Sequence, residues 1–161
     1  MAMWVFSIVV IPATQIPALA AAPPELELIE WWRLEQPDPA LLSALSSLLP
    51  VRDSWSPRLR IYGLSGGTSV EILMDDHDRV RDIELRIDCS MNLPDELISS
   101  FAALIAAYPN VALISRSGRI VSPTRADIVA AISRSPAGRF RTDPERALID
   151  AANEVAVRKP S

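Results

Sequence analysis

Three segments between residues 58 and 88 constrain the fold of this chain more than any other feature. Each alternates apolar and polar side chains, and the turns that join them, SGG and DDHD, are only a few residues long. Alternation with period two is typical of strands that bury one face, and short turns make neighbouring strands run antiparallel. The sequence therefore predicts a three-stranded antiparallel meander over 58–88.

The DDHD turn at residues 75–78 holds the only histidine of the chain. Three carboxylates beside an imidazole can bind a metal or activate a base. Their position between two strands favours a turn instead, because Asp side chains bond to the nearby backbone there. We expect a turn with no metal and no cofactor. A β-bulge is expected just after it, near Arg81 and Asp82, since Val80 and Ile83 fall out of phase.

The segments on either side of the meander predict further strands and helices. Residues 3–11 are apolar on both alternating faces, which is typical of an interior strand. The alternative is that residues 1–22 form a secretory signal, which would make the protein exported. Residues 110–121 predict a short hairpin, whose pairing with the first strand is left open. Helices are predicted near residues 38–49, 94–108, 124–134 and 143–155.

The last helix has a recognisable start signal. Thr142 and Glu145 have the spacing of a capping box, in which each side chain bonds to the other residue's backbone. The side chains expected to face the core are Leu148, Ala151 and Val155.

Together these elements predict the fold class. Antiparallel strands followed and covered by helices make an α+β domain of two layers. At 161 residues and 49% hydrophobic content, the chain has enough apolar material for one core. We therefore expect a single domain over 1–161, with a proline-rich irregular connector at 12–24 and a frayed tail at 157–161. Trp31 and Trp32, which follow the connector, are interpreted as core residues, with partner anchors as the alternative.

Charge is distributed unevenly along the chain. The net charge is −4, yet residues 116–161 carry nine basic groups against five acids. Arg presents a planar fork suited to carboxylates and phosphates, so this basic set is a candidate binding patch. The alternative is that these side chains pair with acids of the same domain. The basic set is Arg116, Arg119, Arg125, Arg134, Arg139 and Arg141. A second candidate surface, acidic, comprises Glu71, Asp76, Asp78, Glu84 and Asp88.

Composition disfavours several functions. One His and one Cys leave no His-rich zinc site and no CxxC pair. The single Cys89 also rules out an intramolecular disulfide framework, so we expect a cytoplasmic protein and a buried, inert thiol. An acidic chain is not expected to bind nucleic acid, and the apolar N-terminal stretch is too short to span a membrane. An enzyme is not expected, although Glu71 and Glu84 on one sheet face keep a carboxylate-dependent hydrolase as an alternative.

In size, acidity and α+β make-up, the chain resembles small bacterial immunity proteins, which neutralise a secreted toxin. This resemblance implies a non-catalytic protein–protein interaction module of inhibitor or immunity type, with another protein as partner. The other alternative is a regulatory domain that binds a small molecule or an anion. A homo-oligomer is left open.

Overall fold

Seven strands form one antiparallel sheet in the computed structural model, which describes residues 3–21, 26–64, 67–90 and 92–158. The strands are β1 Val5–Pro12, β2 Val51–Arg52, β3 Leu59–Gly63, β4 Ser69–Met74, β5 Val80–Asp88, β6 Val111–Ser115 and β7 Ile120–Val121. Their order across the sheet is β2-β3-β4-β5-β1-β6-β7. Together with the helices, this sheet confirms the predicted α+β fold class.

The predicted meander is confirmed as β3, β4 and β5, which are neighbours in the sheet. The bulge also lies where the pattern places it. Leu73 pairs with Asp82 but the next residue, Met74, pairs with Val80, so Arg81 is the extra residue on β5. An extra residue restores the phase of the apolar face, since side chains alternate from one residue to the next.

The first strand, β1, lies in the interior of the sheet. It pairs with β5 from Val5 to Val9 and with β6 from Ile8 to Pro12. Every residue from Phe6 to Pro12 is buried, as a strand with neighbours on both edges and apolar side chains on both faces requires. The interior-strand interpretation of residues 3–11 is confirmed.

Five α-helices accompany the sheet within the described residues. They are α1 Pro39–Ser46, α2 Asp95–Ala106, α3 Arg125–Arg134, α4 Pro136–Thr142 and α5 Pro144–Arg158. Four of them are the predicted helices, and the short α4 was not predicted. The first three helices contribute buried side chains to the same core as the sheet, namely Leu41, Leu45, Ile98, Phe101, Ile105, Ile128 and Ile132.

The tryptophan pair belongs to the core, as interpreted from the sequence. Trp31 and Trp32 are both buried, and the indole Nε1–H of Trp32 donates to the carbonyl oxygen of Val10 at 3.0 Å. Gln36 ties the same segment to β5, because its side chain donates to the carbonyl of Val80 and accepts from the amide of Val80. The segment that follows the connector is therefore bonded to two strands of the sheet.

Two chain segments differ from what the sequence predicts. The stretch 12–24 is not an irregular connector throughout, because Pro12 ends β1 and Ala13–Ala21 forms a 3-10 helix that contacts β1 and β6. Because proline has no amide hydrogen to donate, Pro17 removes only one internal hydrogen bond from this 3-10 helix. Residues 22–25 lie outside the described residues. The two-residue strand β2 was not predicted, since so short a segment carries no periodic signal.

The last helix, α5, differs from its prediction in cap and in orientation. Asp143 caps it, because its Oδ1 accepts from the amide of Arg146 at 3.0 Å, so the Thr142 capping box is wrong. Leu148 and Val155 are 54% and 59% exposed, so the predicted core-facing set is also wrong. Residues 157 and 158 continue α5 and are not a frayed tail. The predicted tail residues 159–161 lie outside the described part of the chain.

The junction of α3 and α4 is close-packed. Ser135 ends α3 and its hydroxyl accepts from the amide of Gly138, which caps α4. A Cβ at Gly138 would lie 2.0 Å from the carbonyl oxygen of Ile132, so only glycine fits there. The ring of Phe140 on α4 lies 5.9 Å from that of Trp4, measured between centroids. The contact with Trp4 places α4 beside the residue that precedes β1.

Candidate functional site

A cavity lies where β6 stops short of its neighbour. β6 ends at Ser115 opposite Ile8, so Val5–Ser7 has a sheet neighbour on the β5 side only. The turn after β6, together with α3 and α4, surrounds the gap and leaves a cavity of about 930 Å³. This volume is at the upper end of the range of roughly 300–1,000 Å³ that is typical of small-molecule pockets.

The floor of this cavity is mostly apolar. Phe6, Val121 and Ala137 are buried there, together with Ser7 and Ser115. The hydroxyl of Ser115 is hydrogen-bonded to that of Ser117 at 2.8 Å. The hydroxyl of Ser7 is buried without a hydrogen-bond partner among the described residues, which costs roughly 1–3 kcal/mol.

Four arginines from the predicted basic set line the cavity: Arg116, Arg119, Arg134 and Arg139. The side chains of Arg119, Arg134 and Arg139 are exposed at the mouth and make no ion pair with any described residue. Among the described residues, Asp127 is the single carboxylate in the lining, and its Oδ2 accepts from the Thr124 hydroxyl. The mouth therefore carries an excess of positive charge that the described part of the fold does not neutralise.

Arg116 differs from the other three because it is compensated. Its Nη2 donates to Glu84 Oε2 at 2.8 Å, where Glu84 is buried and Arg116 is half-buried. Removing one partner of such a pair leaves an unpaired buried charge. Arg116 therefore belongs to the wall of the cavity, where Glu84 fixes its position.

A third charged group, Asp82, lies beside this pair on the same strand face as Glu84. Burial first and the negative charge of Glu84 second raise the pKa of Asp82, the Arg116 guanidinium lowers it, and the net value is about 6. Asp82 Oδ1 is buried and has no hydrogen-bond partner within the described ranges. The ionised carboxylate is therefore poorly stabilised, and Asp82 titrates in a physiologically relevant range.

The other two members of the basic set lie outside the cavity. Arg125 makes an ion pair with Asp95 at 2.7 Å, between two exposed side chains. Arg141 is exposed in the last turn of α4, where a cation interacts favourably with the helix dipole. Pairing within the domain, the alternative for the whole basic set, thus describes Arg116 and Arg125.

The acidic set is not brought together into one site. Glu71 and Glu84 are directly opposite each other on β4 and β5, but each has its own arginine, since Glu71 pairs with Arg86 at 3.3 Å. Neither of these carboxylates lines the cavity. The remaining acids have separate local roles: Asp76 pairs with Arg58, Asp78 adopts a left-handed turn conformation with φ 57°, and Asp88 accepts from the amide and hydroxyl of Ser90.

The DDHD segment forms the turn between β4 and β5. Asp75 Oδ1 accepts from the amides of His77 and Arg79 at 2.8 and 2.9 Å. These two hydrogen bonds lower the pKa of Asp75 below its ordinary value, and the bond from Arg79 contributes most. His77 is exposed. Within the described ranges, no group of three or more His, Cys, Asp or Glu residues is arranged to hold a metal ion.

Cys89 is buried at the end of β5. Burial raises the pKa of its thiol to about 11. The thiol therefore stays protonated at neutral pH, whereas a nucleophilic cysteine reacts as the thiolate. The Cys89 thiol is therefore buried and unreactive, as expected from the sequence.

Several residues of the cavity were not foreseen. Phe6 and Ser7 gave only the signal of a strand, and nothing in their pattern marks the edge that β6 leaves open. Ser135 followed by Pro136 does carry a signal, because a capping residue followed by Pro at the first helical position is typical of a helix start. That signal would have identified α4.

Comparisons with known proteins returned no match. No family model matches the sequence, and neither a curated protein nor a solved structure matches the chain. In the part of the chain that the structure describes, no helix has the length and apolar character needed to cross a membrane.

Proposed function

We propose that this chain is a non-catalytic binding protein that holds a small anionic ligand in the arginine-lined cavity. The observation that carries the proposal is the grouping of Arg119, Arg134 and Arg139 at one mouth, with no ion pair to any described residue. Arg forms bidentate bonds with carboxylates and phosphates. Three such groups converging on a cavity raise the local concentration of anions and provide donors for them.

The chemical groups near the cavity support binding over catalysis. An acid–base pair needs two titratable groups within reach of a substrate. Glu71 and Glu84 are adjacent, but each is bonded to an arginine and neither lines the cavity. Asp127 is the single carboxylate that the described residues contribute to the lining. The cavity is therefore equipped to attract and orient an anion rather than to transform it.

Anion binding should stabilise the folded chain and should depend on the mouth arginines. We expect at least one of inorganic phosphate, citrate, benzoate and decanoate to raise the unfolding midpoint. A ligand at 100 times its Kd adds about 2.7 kcal/mol to the free energy of unfolding. The measurement is thermal unfolding of the wild type and of the double variant Arg134→Met/Arg139→Met over a concentration series, and the double variant should lose most of the stabilisation.

Arg60→Met is the matched control, because Arg60 is exposed on β3, far across the sheet from the cavity. It removes the same type of charge and should keep the ligand response. An equal response in the double variant and in the control would contradict the proposal, and so would the lack of any response in the wild type at millimolar concentrations.

Docking of a protein partner is the second candidate function, as in an inhibitor or immunity protein. The observation that favours it is the exposed apolar surface of α5, where Leu148, Ile149, Val155 and Val157 are all at least half exposed and where Leu148 and Val155 share one face. Exposed groups of large apolar side chains often mark protein interaction sites.

A photo-crosslinking residue in place of Leu148 tests this second candidate. In cells that produce the protein naturally, we expect it to trap one predominant partner. The same residue in place of Arg60 is the control and should trap no such partner. Identical crosslinking patterns from the two positions would rule out a docking role for α5.

A further inference from the structure

We infer that the ligand of the cavity is an amphipathic anion, with an apolar body against the floor and a carboxylate or phosphate head at the mouth. This inference rests on the proposed function and adds the chemical class of the ligand. It follows from three properties of the cavity: its volume, the chemistry of its floor and the separation of its compensated and uncompensated arginines.

The volume sets the size of the ligand. At about 930 Å³, the cavity is far larger than an inorganic anion requires. A compact anion bound at the mouth would leave the inner part filled with water against the mostly apolar floor. Removing apolar surface from water is favourable in proportion to its area, so a ligand that also fills the inner part binds more tightly.

The floor sets the chemistry of the inner part of the ligand. The floor presents the apolar side chains of Phe6, Val121 and Ala137, and the side chain of Ala131 on α3 adds apolar surface beside it. The Ser115 hydroxyl is engaged by Ser117, while the Ser7 hydroxyl is buried beneath the cavity surface. The floor therefore offers mainly apolar contact, which matches a hydrocarbon chain or ring.

The arginines set the orientation of the ligand. Arg116 is held by Glu84 in the wall, so its charge is balanced without a ligand. The charges that the described fold leaves unbalanced belong to exposed side chains at the mouth, namely Arg119, Arg134 and Arg139. The head group therefore lies at the mouth, beside the solvent, and the apolar body points inward.

Isothermal titration with matched pairs of probes tests this class. The pairs are decanoate with acetate, and decyl phosphate with inorganic phosphate, each decyl compound below its critical micelle concentration. We expect at least one decyl compound to bind tenfold or more tightly than its short partner. The head group of the tighter decyl compound identifies the source of the anion. Decanol, which has the chain without the charge, should bind at least tenfold more weakly than that compound.

Two variants test where on the protein the hydrocarbon chain of the decyl compound binds. Ala131→Phe places a ring inside the cavity and should weaken binding of the decyl compound at least tenfold. Ile120→Ser removes exposed apolar surface from the mouth, where folding does not depend on it, and should weaken the same binding several-fold. Both should leave the affinity for the short partner within twofold. Far-ultraviolet circular dichroism checks that each variant is folded.

The outcomes separate this inference from the proposed function. If the short anions bind as tightly as the decyl compounds, the amphipathic class is overturned and anion binding stands. If neither variant changes the affinity for the decyl compound, its hydrocarbon chain binds elsewhere on the protein, and this result would also overturn the inference. If no probe binds at millimolar concentration, both proposals fail.

Discussion

Replacing Trp32 with Ala is expected to lower the free energy of unfolding by about 3–5 kcal/mol, the range typical of truncating a large aromatic side chain in a core. Trp32 is 2% exposed, and its indole donates to the carbonyl of Val10 in the interior strand β1. The truncation therefore removes apolar contacts, leaves a cavity and takes one hydrogen bond from the backbone of the central sheet. This loss is a large fraction of the total free energy of unfolding, which is roughly 5–15 kcal/mol for a typical domain.

Two further variants separate these contributions, measured by urea unfolding followed by circular dichroism. Trp32→Phe keeps an aromatic ring but removes the donor, and should cost about 1–3 kcal/mol. Trp55→Ala is the matched control, because Trp55 is 84% exposed and its loss should change stability by less than about 0.5 kcal/mol. A cost for Trp32→Ala no greater than that for Trp55→Ala would show that the tryptophan pair is not part of the core.

The predictable part of the fold is the part that local pattern determines. Alternating side chains and short turns between residues 58 and 88 require neighbouring antiparallel strands, and the phase change at Arg81 requires a bulge. The position of β1 between β5 and β6 was not readable in the same way. Its apolar pattern indicates that both faces are covered, but pairing between strands distant in sequence depends on the packing of the whole sheet.

The error in α5 has a similar cause. The spacing of Leu148, Ala151 and Val155 correctly indicates one apolar face of a helix, yet most of that face is exposed. Periodicity specifies which side chains share a face and carries no information about what covers it. In the described structure no element of the chain buries Leu148 or Val155, and this observation motivates the partner docking proposed for α5.

The candidate site was predictable in its charge and not in its shape. The basic set is recognisable from counts along the chain, and four of its six members line one cavity. Which arginines find a carboxylate is a tertiary property, as the contrast between Arg116 and Arg134 shows. The floor residues were invisible as site residues, because Phe6 and Val121 have the pattern of ordinary core positions.

Asp82 should make the folded chain less stable as pH rises through the window from about 4 to about 6. Its pKa is about 6 in the folded state, against an ordinary value of 3.8 when the chain is unfolded. Within this window the folded state binds more protons than the unfolded state, so raising the pH favours unfolding. Each unit of pKa difference corresponds to about 1.4 kcal/mol, so ionised Asp82 costs about 3 kcal/mol above pH 6 relative to pH below 4.

Asp82→Asn removes this ionisation and with it the loss of stability that Asp82 causes as pH rises. The groups that face Asp82 are Glu84, Arg116 and Arg81, and the variant leaves all three in place. We expect the difference in unfolding free energy between variant and wild type to shift in favour of the variant by about 2–3 kcal/mol from pH 4 to pH 8. Chemical denaturation at a series of pH values measures this shift.

Asp53→Asn, at an exposed position, is the control for this series, because it shows how the loss of a surface carboxylate alters the same pH profile. The Asp82→Asn profile should differ from it in the window between pH 4 and pH 6, where burial makes ionisation of Asp82 unfavourable. Coincident profiles for the two variants would mean that Asp82 reaches solvent or a partner that stabilises its charge. The region around Arg116 and Glu84 would then be more hydrated than its packing implies.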